Sequence, residues 1–242
     1  YIEKLSAMIS VSKQPLRISL IISQILFMLL PTLWLTKKWH STEVRKYLRI
    51  APAPFMDILL AVVITLLFLP ASHYISNFLL IQLNMPDFFI AINEQLFASY
   101  TLQEFLWLTL VVCITPAVCE EVFFRGYVQR TMERRFGPKS FIIIGIVFGL
   151  FHVQPINLIS LSLLGMLFGY FYQSSRSIMP NAAAHFTNNF AATVLMVKAA
   201  DGTPMFGSFI SEMGILGVLI TIPPLILLLR YYHFRTERMH QH

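Results

Sequence analysis

The stretch FLWLTLVVCITPAVCEEVFFRGYV, from Phe105 to Val128, decides the reading of this chain. It is long and apolar enough to cross a bilayer as one helix, yet it holds two adjacent carboxylates, Glu120 and Glu121, and a cation, Arg125. An ionisable side chain persists in hydrocarbon where it is paired, faces a polar cavity or performs chemistry. These residues are therefore the first place to look for function.

The setting is set by composition. Of 242 residues 56% are hydrophobic and 12% charged, with a mean hydropathy of +0.67, so polar groups are too few to cover a water-facing surface. Outward from the central stretch, further apolar runs lie at Ile18 to Leu35, Phe55 to Ile75, Ser140 to Val153, Ile156 to Tyr172, Ile178 to Val197 and Phe209 to Leu229. An all-α, polytopic membrane bundle is expected, with about seven transmembrane helices, or eight if another precedes Tyr1. The fourth run is short and ends at Gln154-Pro155, which predicts a tilt or a tight turn into the fifth. No repeat or soluble domain is visible, so residues 1–242 form a single membrane-embedded domain. Within the segment Leu79 to Glu104, the residues Phe88, Phe89, Ile90, Leu96 and Phe97 suggest a short helix in the outer interface.

Charge sets orientation. Lys37, Lys38, Arg45, Lys46 and Arg49 follow the first run; Asp87, Glu94 and Glu104 the second; Arg130, Arg134, Arg135 and Lys139 the third; Arg176 the fifth; Arg230, Arg235 and Arg238 the last. The positive-inside rule makes the basic loops and the C-terminus cytoplasmic. Lys4, Lys13 and Arg17 conflict with the external N-terminus that seven spans require; an upstream helix, or an interfacial one over Ile2 to Ile9, would remove the conflict. An integral protein of the plasma (inner) membrane is expected. The net charge of +6 is explained by these topology signals, and no nucleic-acid partner is expected. Cys113 and Cys119, about 9 Å apart along one helix, are too far apart to bridge.

Polar groups inside the membrane form an ordered set. Glu121 and Arg125 share a helix face and make an ion pair the cheapest arrangement, which leaves Glu120 unpaired. Phe148 and His152 on the fourth run, and His185 and Asn189 on the sixth, each have one-turn spacing, and Asn181 extends the second face. Counted from the basic ends of their helices, Glu120, His152, His185 and Asn189 all lie roughly 10–18 Å deep. Gly145 and Gly149, Gly165 and Gly169, and Ala182 to Ala184 permit close helix approach, and Pro116 is expected to bend the helix one turn before Glu120. A single intramembrane His is often only an interhelical hydrogen-bonding group; four such groups at one depth carry too much desolvation cost for that reading.

Glu-Glu-x-x-x-Arg, Phe-x-x-x-His and His-x-x-x-Asn, in that order on successive membrane helices, resemble the CPBP family of intramembrane proteases, also called the CAAX prenyl endopeptidase or Abi family. The motifs run from Glu120 to Asn189 without substitution, on catalytic helices spanning about residues 105–198. The resemblance implies peptide hydrolysis in a cavity open to the cytoplasm. Glu120 is then the base for water, His152 holds or polarises that water, His185 and Asn189 stabilise the oxyanion, and Glu121, Arg125 and Phe148 support them. It also implies a membrane-associated peptide or protein substrate, prenylated in the family's eukaryotic members.

The bottom-up chemistry agrees, because amide hydrolysis needs a base and donors aimed at the developing charge. Glu120, His152 and His185 would equally suit a three-ligand Zn2+ site with an open water position, although no HExxH pattern is present; a metallo-enzyme and a metal-free glutamate enzyme both stay open. No serine elbow, intramembrane aspartate pair or Cys-His pair is present. The competing functions are a proton-coupled transporter, which predicts repeated halves, and a non-catalytic scaffold or immunity protein.

Overall fold

A computed structural model describes residues 2–84, 97–199, 202, 203, 205 and 208–240. The expected interfacial helix around Phe88 to Leu96 lies outside the described residues, as do Asp87, Glu94 and Asp201.

Helix α1 runs without a break through Ile2–Ser23, a π-helical stretch at Gln24–Leu29, and Leu30–Trp39, so Ile2 to Ile9 form no separate interfacial helix. A single turn, α2 (Val44–Tyr47), leads to α3 (Phe55–Gln82). Helix α4 comprises Leu102–Leu108, a π stretch at Thr109–Ile114, Thr115–Glu121, a second π stretch at Val122–Gln129, and Arg130–Phe136. Then come α5 (Ser140–Phe151), α6 (Leu158–Ser175), α7 (Met179–Leu195) and α8 (Ser208–His240), the last kinked at Gly214. No strand occurs among the described residues; Ser99 and Val197 make one isolated bridge.

The all-α membrane bundle is confirmed. Five stretches are long and apolar enough to cross a membrane: Lys13–Trp39, Phe55–Gln82, Leu102–Phe151, Pro155–Ser175 and Met213–Met239. The count differs from seven because the third stretch covers both α4 and α5, which fold back on each other at Gly137, and because α7 has only 17 residues. Large apolar side chains such as Phe27, 75% exposed, and Leu219, 63% exposed, face outward, as a hydrocarbon surroundings requires.

The glycines supply the tightest packing. A Cβ on Gly145 would lie 2.8 Å from Met166 Cα, one on Gly149 2.8 Å from the Leu158 carbonyl oxygen, and one on Gly165 2.9 Å from Gly145 Cα. Helices α5 and α6 thus touch backbone to backbone, as small-residue spacing permits. The main apolar core joins Leu60, Ala61 and Ile64 of α3, Leu164, Phe168 and Phe171 of α6, Ala184 of α7 and Tyr232 of α8. A second core sets Met28 of α1 against Cys119 and Phe124 of α4 and Ile144 and Phe148 of α5.

Ion pairs orient the ends of the bundle. Arg49 and Arg130 both bind Glu133, and Arg235 of α8 donates to the buried Asp57 of α3 at 2.7 Å. Lys13 pairs with Glu104 at 3.0 Å, and buried Arg17 donates to the Ala98 carbonyl. Two of the three cations that conflicted with the charge pattern, Lys13 and Arg17, are thereby spent on internal contacts. Cys113 and Cys119 are buried free thiols.

Candidate active site

Glu121 is the hub of the centre. Its Oε1 accepts from Arg125 Nη1 at 2.6 Å and stands 2.7 Å from His185 Nδ1, while its Oε2 accepts from Asn181 Nδ2 at 2.6 Å. The expected ion pair with Arg125 is present, and both side chains are 0% exposed. Arg125 therefore does not reach for the headgroups. Its second nitrogen donates to the Gly165 carbonyl at 3.0 Å, and its guanidinium lies 4.5 Å from the Phe148 ring centroid, a cation–π contact in a water-poor site. Phe148 also packs on His152, and Phe168 stacks on His185 at 5.2 Å. The two aromatic rings thus hold both imidazoles and the guanidinium in one cluster, with Phe168 stacked on His185 and Phe148 tilted against His152 and edge-on to His185.

Glu120, 6% exposed, points to another face of the helix. Its Oε1 accepts from Gln24 Nε2 of α1 at 2.7 Å. Its Oε2 is buried and has no hydrogen-bond partner, with His152 Nε2 at 3.9 Å and His185 Nε2 at 4.0 Å. Those separations are too long for direct hydrogen bonds. A water about 2.8 Å from both partners would bridge such a gap at an angle of about 90°.

The partners of the other ring nitrogens decide the tautomers. His152 Nδ1 lies 2.8 Å from the Phe148 carbonyl oxygen, and His185 Nδ1 faces the Glu121 carboxylate. Both oxygens can only accept, so each Nδ1 carries a hydrogen. Each Nε2 faces Glu120 Oε2 across a gap that a bridging water fits.

The Glu120 carboxylate and the two imidazoles are also groups of the type that hold zinc; their nitrogens stand 3.9 and 4.0 Å from Glu120 Oε2. Among the described residues no three His, Cys, Asp or Glu side chains are arranged to hold an ion.

Local backbone irregularities aim these groups. The two π stretches of α4 flank Thr115–Glu121, and a third at Gln24–Leu29 lies opposite on α1; π turns reset side-chain direction within a helix and recur at functional sites. Pro116 has no N–H to offer the Val112 carbonyl. Asn189 Nδ2 supplies the donor instead, at 2.8 Å, which ties α7 to α4 one turn beyond His185. His152 ends α5, where Val153 takes φ 52°, a left-handed conformation unfavourable for a β-branched residue.

The structure thus brings Glu120, His152 and His185 around one buried point, and places Glu121, Arg125, Phe148 and Asn181 directly behind them. Asn189 is held at the adjoining turn. Gln24 was missed from the sequence; its only signal was a polar side chain within an apolar run.

Fold and site together define an integral membrane protein with a buried carboxylate–imidazole centre assembled from α4, α5 and α7. Residues 102–191 match the family model described as Rce1-like, type II CAAX prenyl endopeptidase. That match agrees with the CPBP motifs and supports a CAAX-type intramembrane protease family. Comparisons with curated proteins and with solved structures give no significant match.

Proposed function

We propose that this protein is an intramembrane endopeptidase in which Glu120 activates water against a peptide bond near the cytoplasmic membrane face. The observation that carries the proposal is the unpartnered, buried Oε2 of Glu120 with two imidazole nitrogens within 4.0 Å. A water in that gap donates one hydrogen to Glu120 and its second to His152 Nε2. Glu120 takes the first proton as the oxygen attacks the carbonyl carbon, and returns it to the nitrogen as the C–N bond breaks. The oxyanion needs donors. His185 can donate from Nε2 only when both ring nitrogens are protonated, and the Glu121 carboxylate at Nδ1 compensates that charge. Asn189 Nδ2 has a second N–H beyond the one given to Val112.

The cytoplasmic placement rests on the basic loops, which gather at one end of the bundle. The substrate class follows from the setting: a peptide segment that is itself membrane-associated, by a lipid anchor or an apolar helix. A test is incubation of the purified protein with bilayer-bound peptides, prenylated and unprenylated, read by mass spectrometry. Cleavage of a membrane-bound peptide at a single position is expected. If no peptide is cut while sealed vesicles show proton flux dependent on Glu120, the centre belongs to a transporter and the proposal fails.

A further inference from the structure

A polar cavity lies at the basic end of the bundle, and none of the Glu120-centre residues lines it. It measures about 490 Å³ and is lined by Arg49, Arg130, Arg134 and Arg176 together with Glu133 and His233. The charges do not balance. Glu133 is shared between Arg49, at 3.0 and 2.8 Å, and Arg130, at 2.9 Å, and the other lining carboxylate, Glu237, faces His233 at 3.2 Å. Arg134 stands over the Tyr47 ring, and neither it nor Arg176 has a carboxylate partner among the described residues. Arg130 Nε is buried and has no acceptor. The cavity therefore holds more guanidinium donors than it has protein anions to receive them.

We propose that this cavity binds the phosphate of an anionic phospholipid headgroup. Arginine forks match phosphate oxygens in pairs, and basic pockets between membrane helices on the cytoplasmic side suit lipid phosphates. The location favours a lipid over a free anion. The cavity opens among helix ends, beside exposed Phe136 and Phe234, each next in sequence to a lining residue, which offer apolar surface to a lipid's acyl chains. Trp34 and Trp39, also exposed, lie at the C-terminal end of α1 as interface anchors do.

Native mass spectrometry of the purified full chain tests this with phosphatidylglycerol, phosphatidylcholine and inorganic phosphate as probes. The variant is Arg134→Gln with Arg176→Asn; both side chains are exposed, and Asn tolerates the left-handed backbone at residue 176, φ 52°. Lys37→Gln with Lys38→Gln removes equal charge outside the cavity and serves as control. Phosphatidylglycerol affinity should fall at least about tenfold relative to that control, the factor one lost charge-assisted hydrogen bond gives. Equal retention of phosphatidylcholine by the unaltered protein overturns the proposal, as does an equal loss in the control. Inorganic phosphate binding as tightly as the lipid would show a free-anion site and reject the lipid.

An independent observation concerns Gln24. We infer that Gln24 is a positioning residue for Glu120, an inference that rests on the proposed protease reading. Its Nε2 fixes Oε1 of Glu120 at 2.7 Å, so that Oε2 alone is left facing the two imidazoles. Misplacing a catalytic group by about 1 Å can cost about 100-fold. Gln24→Met keeps the length and removes the donor; kcat should fall about 10- to 100-fold with KM unchanged and Tm retained. Full kcat in Gln24→Met while Glu120→Gln is inactive overturns the positioning role; activity in Glu120→Gln overturns the protease reading instead. A fall in Tm that accounts for the lost activity also rejects it.

Discussion

Replacing Glu121 by Gln should unfold the protein at a much lower temperature, and the structure indicates by how much. Glu121 carries three short contacts of 2.6 to 2.7 Å, from Arg125, His185 and Asn181. Glutamine keeps the shape, but its amide presents hydrogens where Asn181 already presents one, and it removes the only carboxylate paired with Arg125. That guanidinium is 0% exposed and would keep neutral acceptors, the glutamine and Gly165 carbonyls, and aromatic ring faces, but no anion. An uncompensated buried charge of this kind costs about 3–5 kcal/mol. At about 2–4 °C per kcal/mol for a chain of this size, Tm should drop by roughly 6–20 °C. The assay is thermal unfolding in micelles of Glu121→Gln, Arg125→Met and their combination. Removing both charges should recover all but about 1–2 kcal/mol, while cleavage stays lost because His185 no longer has an anion at Nδ1. A single variant within about 2 °C of the parent, or a double variant no better than the single, would refute the hub role assigned to Glu121.

Three further outcomes follow from particular contacts. Gly145→Val should destabilise by about 2 kcal/mol or more, because its side chain meets the Met166 backbone as well as the Met166 side chain, and the backbone cannot move aside cheaply; an unchanged Tm would contradict the backbone contact between α5 and α6. Val153 is 84% exposed with φ 52°, so Val153→Gly should stabilise by about 1 kcal/mol, and a lowered Tm would show that the strain is not there. If Glu120 activates water without a metal, cleavage should survive exhaustive dialysis against a chelator. Activity lost on dialysis and restored by added Zn2+ would contradict that metal-free scheme.

What was legible in the sequence was local. The Glu121–Arg125 pair follows from four-residue spacing, and the depths of Glu120, His152 and His185 follow from counting along helices. What was not legible depends on which helices meet. His185 could have turned either ring nitrogen to either carboxylate; Phe168 and the fixed face of α7 decide that Nδ1 takes Glu121. Gln24 lies 96 positions from Glu120, and Asp57 178 positions from Arg235, so no spacing rule connects them. The third and fourth apolar runs, separate in the sequence, are two helices joined at Gly137, where φ is 58°.

Hydrolysis of a membrane-bound peptide by Glu120→Gln, set beside the parent enzyme, tests the central claim most directly. Glutamine preserves the side-chain shape but cannot accept the water proton, so the rate should fall by about 10²- to 10⁴-fold with the folded protein retained in the membrane. Cleavage within a fewfold of the parent rate would contradict the account.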